Sequence, residues 1–307
     1  MRGSREPRIF FKEKDMYELI QLSEQSYYIQ CPAKIGVIKT GGEEVCLIDS
    51  GNDKDAGKKV RRILEDQGWK LKAIYNTHSH ADHIGGNKYL VGQTGCSIYA
   101  SGIERDFTEH PLLEPMYLFG ANPPKALRHK FLMAQESPAQ PLSEDVLPDG
   151  WEIIPLPGHS FDMAGFRIPD GTVFLADCLS SRDTLEKYQI NFLVDVGKYL
   201  ETLQLVQTLE AKYFVPSHDD VTEEIAPLAQ LNIEKVYEIS DKILEICREP
   251  VCFEQLLKKL FDIYKMELSF EQYALVGSTV RSYLTWLSDN GRIKEIIDRN
   301  MLLWKAE

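Results

Sequence analysis

The run NTHSHADHIGG sets His78, His80, Asp82 and His83 within six residues of one another, directly behind the apolar stretch LKAIYN. Four such side chains on one short segment have no packing rationale, whereas imidazoles and carboxylates at this spacing are what a divalent cation requires. LKAIYN reads as a buried strand that ends where the cluster begins. Gly85 and Gly86 follow at once and are expected to let the backbone turn tightly into a helix. A strand that delivers its polar groups to the loop behind it, with a helix after that loop, points to an α/β chain whose strand ends share one rim.

The rest of the first 219 residues supplies more such strands. Between residues 26 and 49 the runs YYIQC, KIGVIKT and EVCLIDSG, with Gly41-Gly42 between the last two, predict an antiparallel meander. A helix is expected from Lys54 to about Asp66, with Ala56, Val60, Ile63 and Leu64 turned inward and Gly68 near its end. After a strand at CSIYA, residues 101–145 form a long connection of mixed polar and bulky apolar residues, including EPMYLFGANPPKALRHKFLMA. Connections of this length inside a domain usually carry function, so it reads as a lid-like, partly helical insertion over the site, with plain core packing as the alternative. Strands resume with WEIIPLPGHS, MAGFRIP and TVFLADCLSS, a helix is expected from about Asp195 to Ala211, and KYFVPSHDD closes a first domain at residue 219. Beyond it, residues 220–307 turn helical, with stripes at Val236, Ile239, Ile243 and Ile246 and at Val276, Val280, Leu284 and Leu287. RIKEII and MLLWKA then flank the turn-prone Asp298-Arg299-Asn300, so this second domain is expected to be winged-helix-like.

Three further ligand types stand at the ends of apolar strands: His159 in PLPGHS, Asp177 in VFLADC and His218 in VPSHDD. Strand ends of a layered domain converge, so all seven residues are candidates for one site. This nitrogen and oxygen set suits zinc best, with iron or manganese also accommodated, and it is too large for one tetrahedral ion; two ions are expected. Ser160 and Asp162 follow His159 and are candidates for the outer hydrogen bonds that orient a ligand imidazole, with a capping role as the alternative. Arg182 and Lys187 lie after Asp177, where a substrate anion could be held, although solvated surface charge is the default. His110 and His129 have no partner pattern and read as lid or surface residues.

In order and rough spacing, H-x-H-x-D-H followed by a His, an Asp and a last His resembles the metallo-beta-lactamase superfamily over about residues 26–219. The resemblance implies a four-layer αββα sandwich with the site on one edge of its two sheets. It further implies that His78, His80 and His159 hold one metal, that Asp82, His83 and His218 hold the other, and that Asp177 bridges them. The activity it implies is hydrolysis by a metal-bridging hydroxide, with Asp82 as the catalytic residue that orients the nucleophile. An Asp in the bridging place is similar to glyoxalase II, lactonases and metallo-nucleases rather than to the antibiotic-hydrolysing members, so a thioester, ester or lactone is the leading substrate class. GHSFDM and ADC also resemble motifs of the beta-lactamase-like protein 2 group, which has a winged-helix-like tail, and this makes an endoribonuclease or phosphodiesterase the alternative. A ligand-binding regulator with little turnover is a second alternative, and a persulfide dioxygenase with one iron per chain a third.

Charge weighs on these choices. Asp and Glu number 47 against 35 Lys and Arg, a formal net charge of -12. From Asp220 onward there are 11 basic against 16 acidic residues. Phosphate backbones are held mainly by positive charge, so the tail is expected to pack or to form a homodimer rather than to bind nucleic acid, and a small-molecule substrate is expected. No stretch of ~18 apolar residues appears, and MRGSREPRIFFKEKD lacks an apolar run of signal-peptide length, so a cytoplasmic chain without a membrane segment is expected. Six scattered cysteines without C-x-x-C spacing fit reduced thiols.

Overall fold

Successive side chains of a strand face opposite ways, so a strand that is apolar at every position must be covered on both faces. The computed structural model describes residues 17–307, and the N-terminal stretch read for a signal segment lies outside the described residues. Strands β1 (Glu18–Gln21), β2 (Ser26–Gln30), β3 (Ile35–Gly41) and β4 (Glu44–Ile48) form an antiparallel meander. Helix α1 (Lys54–Asp66) crosses to β5 (Lys70–Tyr75), and α2 (Ala81–Ile84) with α3 (Asn87–Thr94) to β6 (Ser97–Ala100), both strands running parallel to their neighbours. Helices α4 (Gly102–Glu109) and α5 (Leu113–Phe119) lie in the insertion, and β7 (Gln140–Pro141) completes a seven-stranded sheet ordered β1 to β7. A second sheet comprises β8 (Glu152–Pro155), β9 (Ala164–Arg167) and β10 (Thr172–Ala176), followed by α6 (Arg182–Tyr188), α7 (Val196–Thr208) and β11 (Tyr213–Pro216), with β11 pairing β10 in parallel. Then come α8 (Ala226–Ile246), α9 (Phe253–Tyr264), α10 (Phe270–Asp289) and the hairpin of β12 (Ile293–Asp298) with β13 (Met301–Ala306).

The alternation sorts the core into layers. Ile35, Val37, Val45, Leu47 and Ile74 meet Val60 and Leu64 of α1 and Leu90 of α3. Their chain neighbours Ile38, Cys46, Ile48, Ala73 and Tyr75 point the other way, onto Trp151, Phe166, Phe174 and Val215 of the second sheet. Val173, Leu175 and Phe214 then turn outward against Val196, Tyr199 and Leu203 of α7. Helix, sheet, sheet and helix follow in that order, as expected. The last core does not stop at residue 219: it runs on through Val236, Ile239 and Ile243, Leu256 and Leu260, and Val280, Leu284 and Leu287.

Three local expectations are corrected. Asp82 and His83 belong to the short helix α2 rather than to an open loop. Gly85 and Gly86 have ordinary helical φ of -62° and -83°, so a tight turn is not their purpose. What they permit is close approach: a Cβ on Gly85 would stand 2.3 Å from the Asn52 carbonyl carbon, and one on Gly86 2.3 Å from the Ser50 oxygen. The helix expected to reach Ala211 ends at Thr208. Within the insertion, Leu118, Leu127 and Leu132 form a small core with Ala274 of α10, so the segment is packed as well as placed over the site. Among the described residues no helix is long and apolar enough to cross a membrane. Five of the six cysteines are buried.

Candidate metal centre

Strand ends at one edge of the two sheets supply the site. β5 leads into Thr77, His78 and His80, the β8–β9 connection carries His159, Asp177 follows β10 and His218 follows β11. Asp49, just after β4, and Ala176, just before Asp177, have φ of 65° and 51°. Such left-handed backbone costs about 1–3 kcal/mol for a residue with a side chain and persists where surrounding contacts dictate it.

The seven residues fall into two groups, His78, His80 and His159 in one, and Asp82, His83, Asp177 and His218 in the other, with donor atoms in each group within 4.8 Å of one another. His80 Nδ1 lies 3.0 Å from His78 Nε2 and 3.1 Å from His159 Nε2. In the second group Asp177 Oδ1 is 3.2 Å from His83 Nε2, and Asp177 Oδ2 is 3.1 Å from His218 Nε2. Asp82 Oδ2 is 3.4 Å from His218 Nε2. Asp177 Oδ2 also stands 3.6 Å from His159 Nε2, so this carboxylate spans the two groups.

Outer hydrogen bonds fix which nitrogen of each ring turns inward. Asp49 accepts from the Thr77 amide at 2.8 Å, from Thr77 Oγ1 at 2.7 Å and from His83 Nδ1 at 2.7 Å. Because the Thr77 hydroxyl proton is committed to Asp49, Thr77 Oγ1 accepts from His78 Nδ1, 3.0 Å away. His218 Nδ1 donates to the Pro32 carbonyl at 2.7 Å. His78, His83 and His218 thereby all turn Nε2 toward the centre.

These residues fit a divalent cation. His83 Nε2 and Asp177 Oδ1 are buried, and among the described residues neither atom has a hydrogen-bond partner. At 3.2 Å the two atoms call for positive charge between them, a proton or a metal ion: burial disfavours a charged His83, yet Asp177, Asp82 and Asp49 outweigh it and hold that ring well above the ordinary imidazole value. Electrostatics separate the two halves. Burial, with neighbouring imidazoles, pushes His80 and His159 down to about 4, so both rings carry free lone pairs at neutral pH. Burial also disfavours a charged His218, but Asp177 and Asp82 outweigh it and hold that ring up at about 10. The second half attracts positive charge, the first only lone-pair acceptors.

A carboxylate that no sequence pattern singles out braces the loops. Glu104 of α4, buried, accepts from the Ser79 amide at 2.9 Å and hydroxyl at 2.7 Å, from Ser160 Oγ at 2.6 Å and from the Asp162 amide at 3.0 Å. Ser160 is thus tied to Glu104, and the Asp162 carboxylate accepts from the Ile103 amide in the first turn of α4 at 2.9 Å; these bonds go to the insertion rather than to an imidazole. Arg182 borders a 790 Å³ cleft that reaches His218, whereas Lys187 turns to the Tyr188 hydroxyl at 2.9 Å. His110 ends α4, and His129 lies 3.6 Å from Glu271 of α10. Above this cluster sits a 440 Å³ cavity bordered by His80, Asp82, His159 and Asp177, with Phe131, Leu132, Phe192 and Leu275 as its apolar part.

Fold and site together define a class: an αββα protein with a His/Asp cluster able to hold divalent metal at the shared edge of its sheets. The sequence model of the metallo-beta-lactamase superfamily matches residues 28–218, and the chain belongs to that superfamily. It is 24% identical to the beta-lactamase-like protein 2 homolog of Drosophila melanogaster over 190 residues, 60% of this chain and 57% of that protein. A 46-residue stretch, 15% of this chain, is 41% identical to a hydroxyacylglutathione hydrolase of Methylococcus capsulatus and covers 18% of it. The chain thus matches less than two thirds of the length of both. With the probable metallo-hydrolase YflN of Bacillus subtilis the identity is 27% over 220 residues, 68% of this chain and 76% of that one. Among solved structures, a beta-lactamase domain protein from Burkholderia ambifaria superposes with a TM-score of 0.74 at 14% identity, covering 95% of this chain and 94% of that one. A metallo-beta-lactamase family protein from Thermus thermophilus gives 0.69 at 16% identity over 95% of this chain and 98% of the other. At such identities these two report the fold alone.

Proposed function

We propose that the chain is a hydrolase with two zinc ions that cleaves a thioester, ester or lactone of a small molecule. The observation that carries this reading is the pair of ligand groups joined by Asp177 beneath a cavity of small-molecule size, 440 Å³, with one apolar wall. In it, His78, His80 and His159 hold one ion, Asp82, His83 and His218 the other, and Asp177 both. Local similarity to a protein named hydroxyacylglutathione hydrolase favours an acyl substrate. Bound there, the ions would lower the pKa of water from about 15.7 to about 7, which at ~1.4 kcal/mol per unit makes hydroxide available for roughly 12 kcal/mol less than in bulk.

The chain's own groups then have separate tasks. Phe131, Leu132, Phe192 and Leu275 take the apolar part of the substrate and exclude water. Asp82, whose side chain keeps 41% of its surface exposed, orients the attacking water as a hydrogen-bond acceptor; burial raises its carboxyl, but His83 and His218 outweigh that and hold it well below the ordinary carboxylate range, which makes it a weak base. Arg182, on the cleft next to His218, is placed for an anionic leaving group. Asp82→Ala also removes a ligand of the second ion, so it is assayed with zinc in excess and both ions confirmed bound; there kcat is expected to fall by about 10²–10⁴, and undiminished activity in such a preparation refutes the role of Asp82. The reading as a whole is tested by metal quantification on the purified chain, followed by thioester, lactone, phosphodiester and RNA substrates. Two zinc ions and acyl cleavage are expected. RNA cleavage without acyl hydrolysis would overturn the substrate class, and a single iron per chain would overturn the zinc pair.

A further inference from the structure

Glu114 of α5 is a buried carboxyl that none of the roles above uses. It is 8% exposed, and among the described residues its carboxyl makes no hydrogen bond; its Oε1 lies 3.8 Å from Nε2 of His80. An unpaired buried carboxyl is disfavoured by a few kcal/mol and so calls for a donor within reach. His80 has the complementary need. It turns Nδ1 toward His78 and His159, which leaves Nε2–H pointing away from the centre. The outer nitrogens of His78, His83 and His218 are satisfied by Thr77, Asp49 and Pro32, while the His80 ring is otherwise held by edge contacts, 5.3 Å from Phe192 and 4.8 Å from His159.

We propose that Glu114 is the positioning residue of His80: its carboxyl accepts the Nε2–H hydrogen bond once the ring is engaged by metal, and it thereby makes the 101–145 insertion part of the first metal site. A side-chain rotation that shortens the separation by about 1 Å reaches hydrogen-bond length. The inference rests on the reading of His80 as a metal ligand. It explains why a helix of the insertion carries a buried carboxyl to the cavity beside His80, and it gives that helix a task beyond covering the cavity.

The test compares Glu114→Gln with Glu114→Leu in the full chain. The two replacements fill nearly the same volume and differ in whether they offer an acceptor. Zinc affinity is read by competition with a chromophoric chelator, and thermal unfolding is followed after chelation. Loss of an outer partner weakens a metal site by roughly 10–100-fold. Glu114→Leu is therefore expected to weaken one of the two zinc ions by about that factor and leave the other within about twofold, while Glu114→Gln keeps both close to the parent values. A carboxyl that only packs gives a different result: both variants bind zinc as the parent does and only the unfolding temperature moves. That outcome overturns the proposal, as does equal loss of zinc in both variants, which would show that an acceptor at this position does not rescue the site. If the parent chain itself binds no zinc, the metal reading of the site fails first, and the two failures are told apart by that control.

Discussion

Asp49 holds more of the site than its single letter in CLIDSG suggests. It takes three hydrogen bonds, and through Thr77 and His83 it sets the inward nitrogen in both ligand groups. Asp49→Ala should weaken zinc binding by about 10–100-fold at the His83 group, read by chelator competition, and unaltered affinity there would remove Asp49 from the account. The two groups should also answer differently to pH. His80 and His159, at about 4, have no proton to give up, so zinc affinity of their group should stay flat from about pH 5 to 8. His218, at about 10, must lose its proton to bind zinc, so the affinity of its group should climb about tenfold per pH unit over the same range for each proton displaced. Competition curves of equal slope for the two ions would contradict that division. All seven residues brought together here were visible in the sequence, four because they crowd one short run behind a strand and His159, Asp177 and His218 because each follows an apolar strand and strand ends share an edge. Asp49 and Glu104 were not, since an Asp after a strand reads equally well as a turn residue and Glu104 sits in an insertion with no periodic pattern; their partners lie 34 and 25 residues away.

Elements were legible where a period had room to show itself. Helix α1 spans Lys54–Asp66, as its apolar spacing indicates, with Asp53 as its cap, and the runs of β2, β3 and β4 form the expected antiparallel meander. Helix α2 has four residues, too few for a helical period to register, so Asp82 and His83 were expected on a loop. β1 escaped notice for a similar reason: its four residues are no more than half-buried and have a pairing partner on one side only, in β2. The glycines behind α2 show how an element can be right and its reason wrong. A Cβ at Gly85 would press on the Asn52 backbone, which cannot swing aside as a side chain could. Gly85→Ala should therefore destabilise the chain by about 1–3 kcal/mol. At Gly92, inside α3 with nothing within 4 Å of an added Cβ, the same change should stabilise by up to about 1 kcal/mol. Urea midpoints with unchanged m-values decide it; a neutral Gly85→Ala would mean that the loop at Asn52 yields.

At the scale of the molecule, periodicity reveals which face of a helix is buried but not what covers it. The stripes on α8 and α10 were plain in the sequence, which left open whether residues 220–307 pack or form a homodimer. Those faces join the outer core of the second sheet, and polar ties reinforce the junction: the Leu193 amide donates to Thr279 Oγ1 at 3.1 Å, and Ser282 Oγ to the Val194 carbonyl at 2.8 Å. One result is that α10 reaches the centre. Leu275 borders both the 440 Å³ cavity and a 240 Å³ cavity beside it, which shares His159, Asp177 and Phe192. Removing its side chain should merge the two spaces, with the metal ligands, which belong to other elements, left in place. Leu275→Ala should then raise KM about tenfold for short acyl substrates, favour longer ones, and keep the zinc content at two, since a few methylenes of pocket contact amount to about 1–3 kcal/mol. Leu275 is only half-buried, so the loss of stability should stay near 1–2 kcal/mol and leave the fold intact for the assay. Unchanged KM values across an acyl series, at full zinc content, would return α10 to a packing role and place the substrate on the opposite side of the centre, toward Arg182.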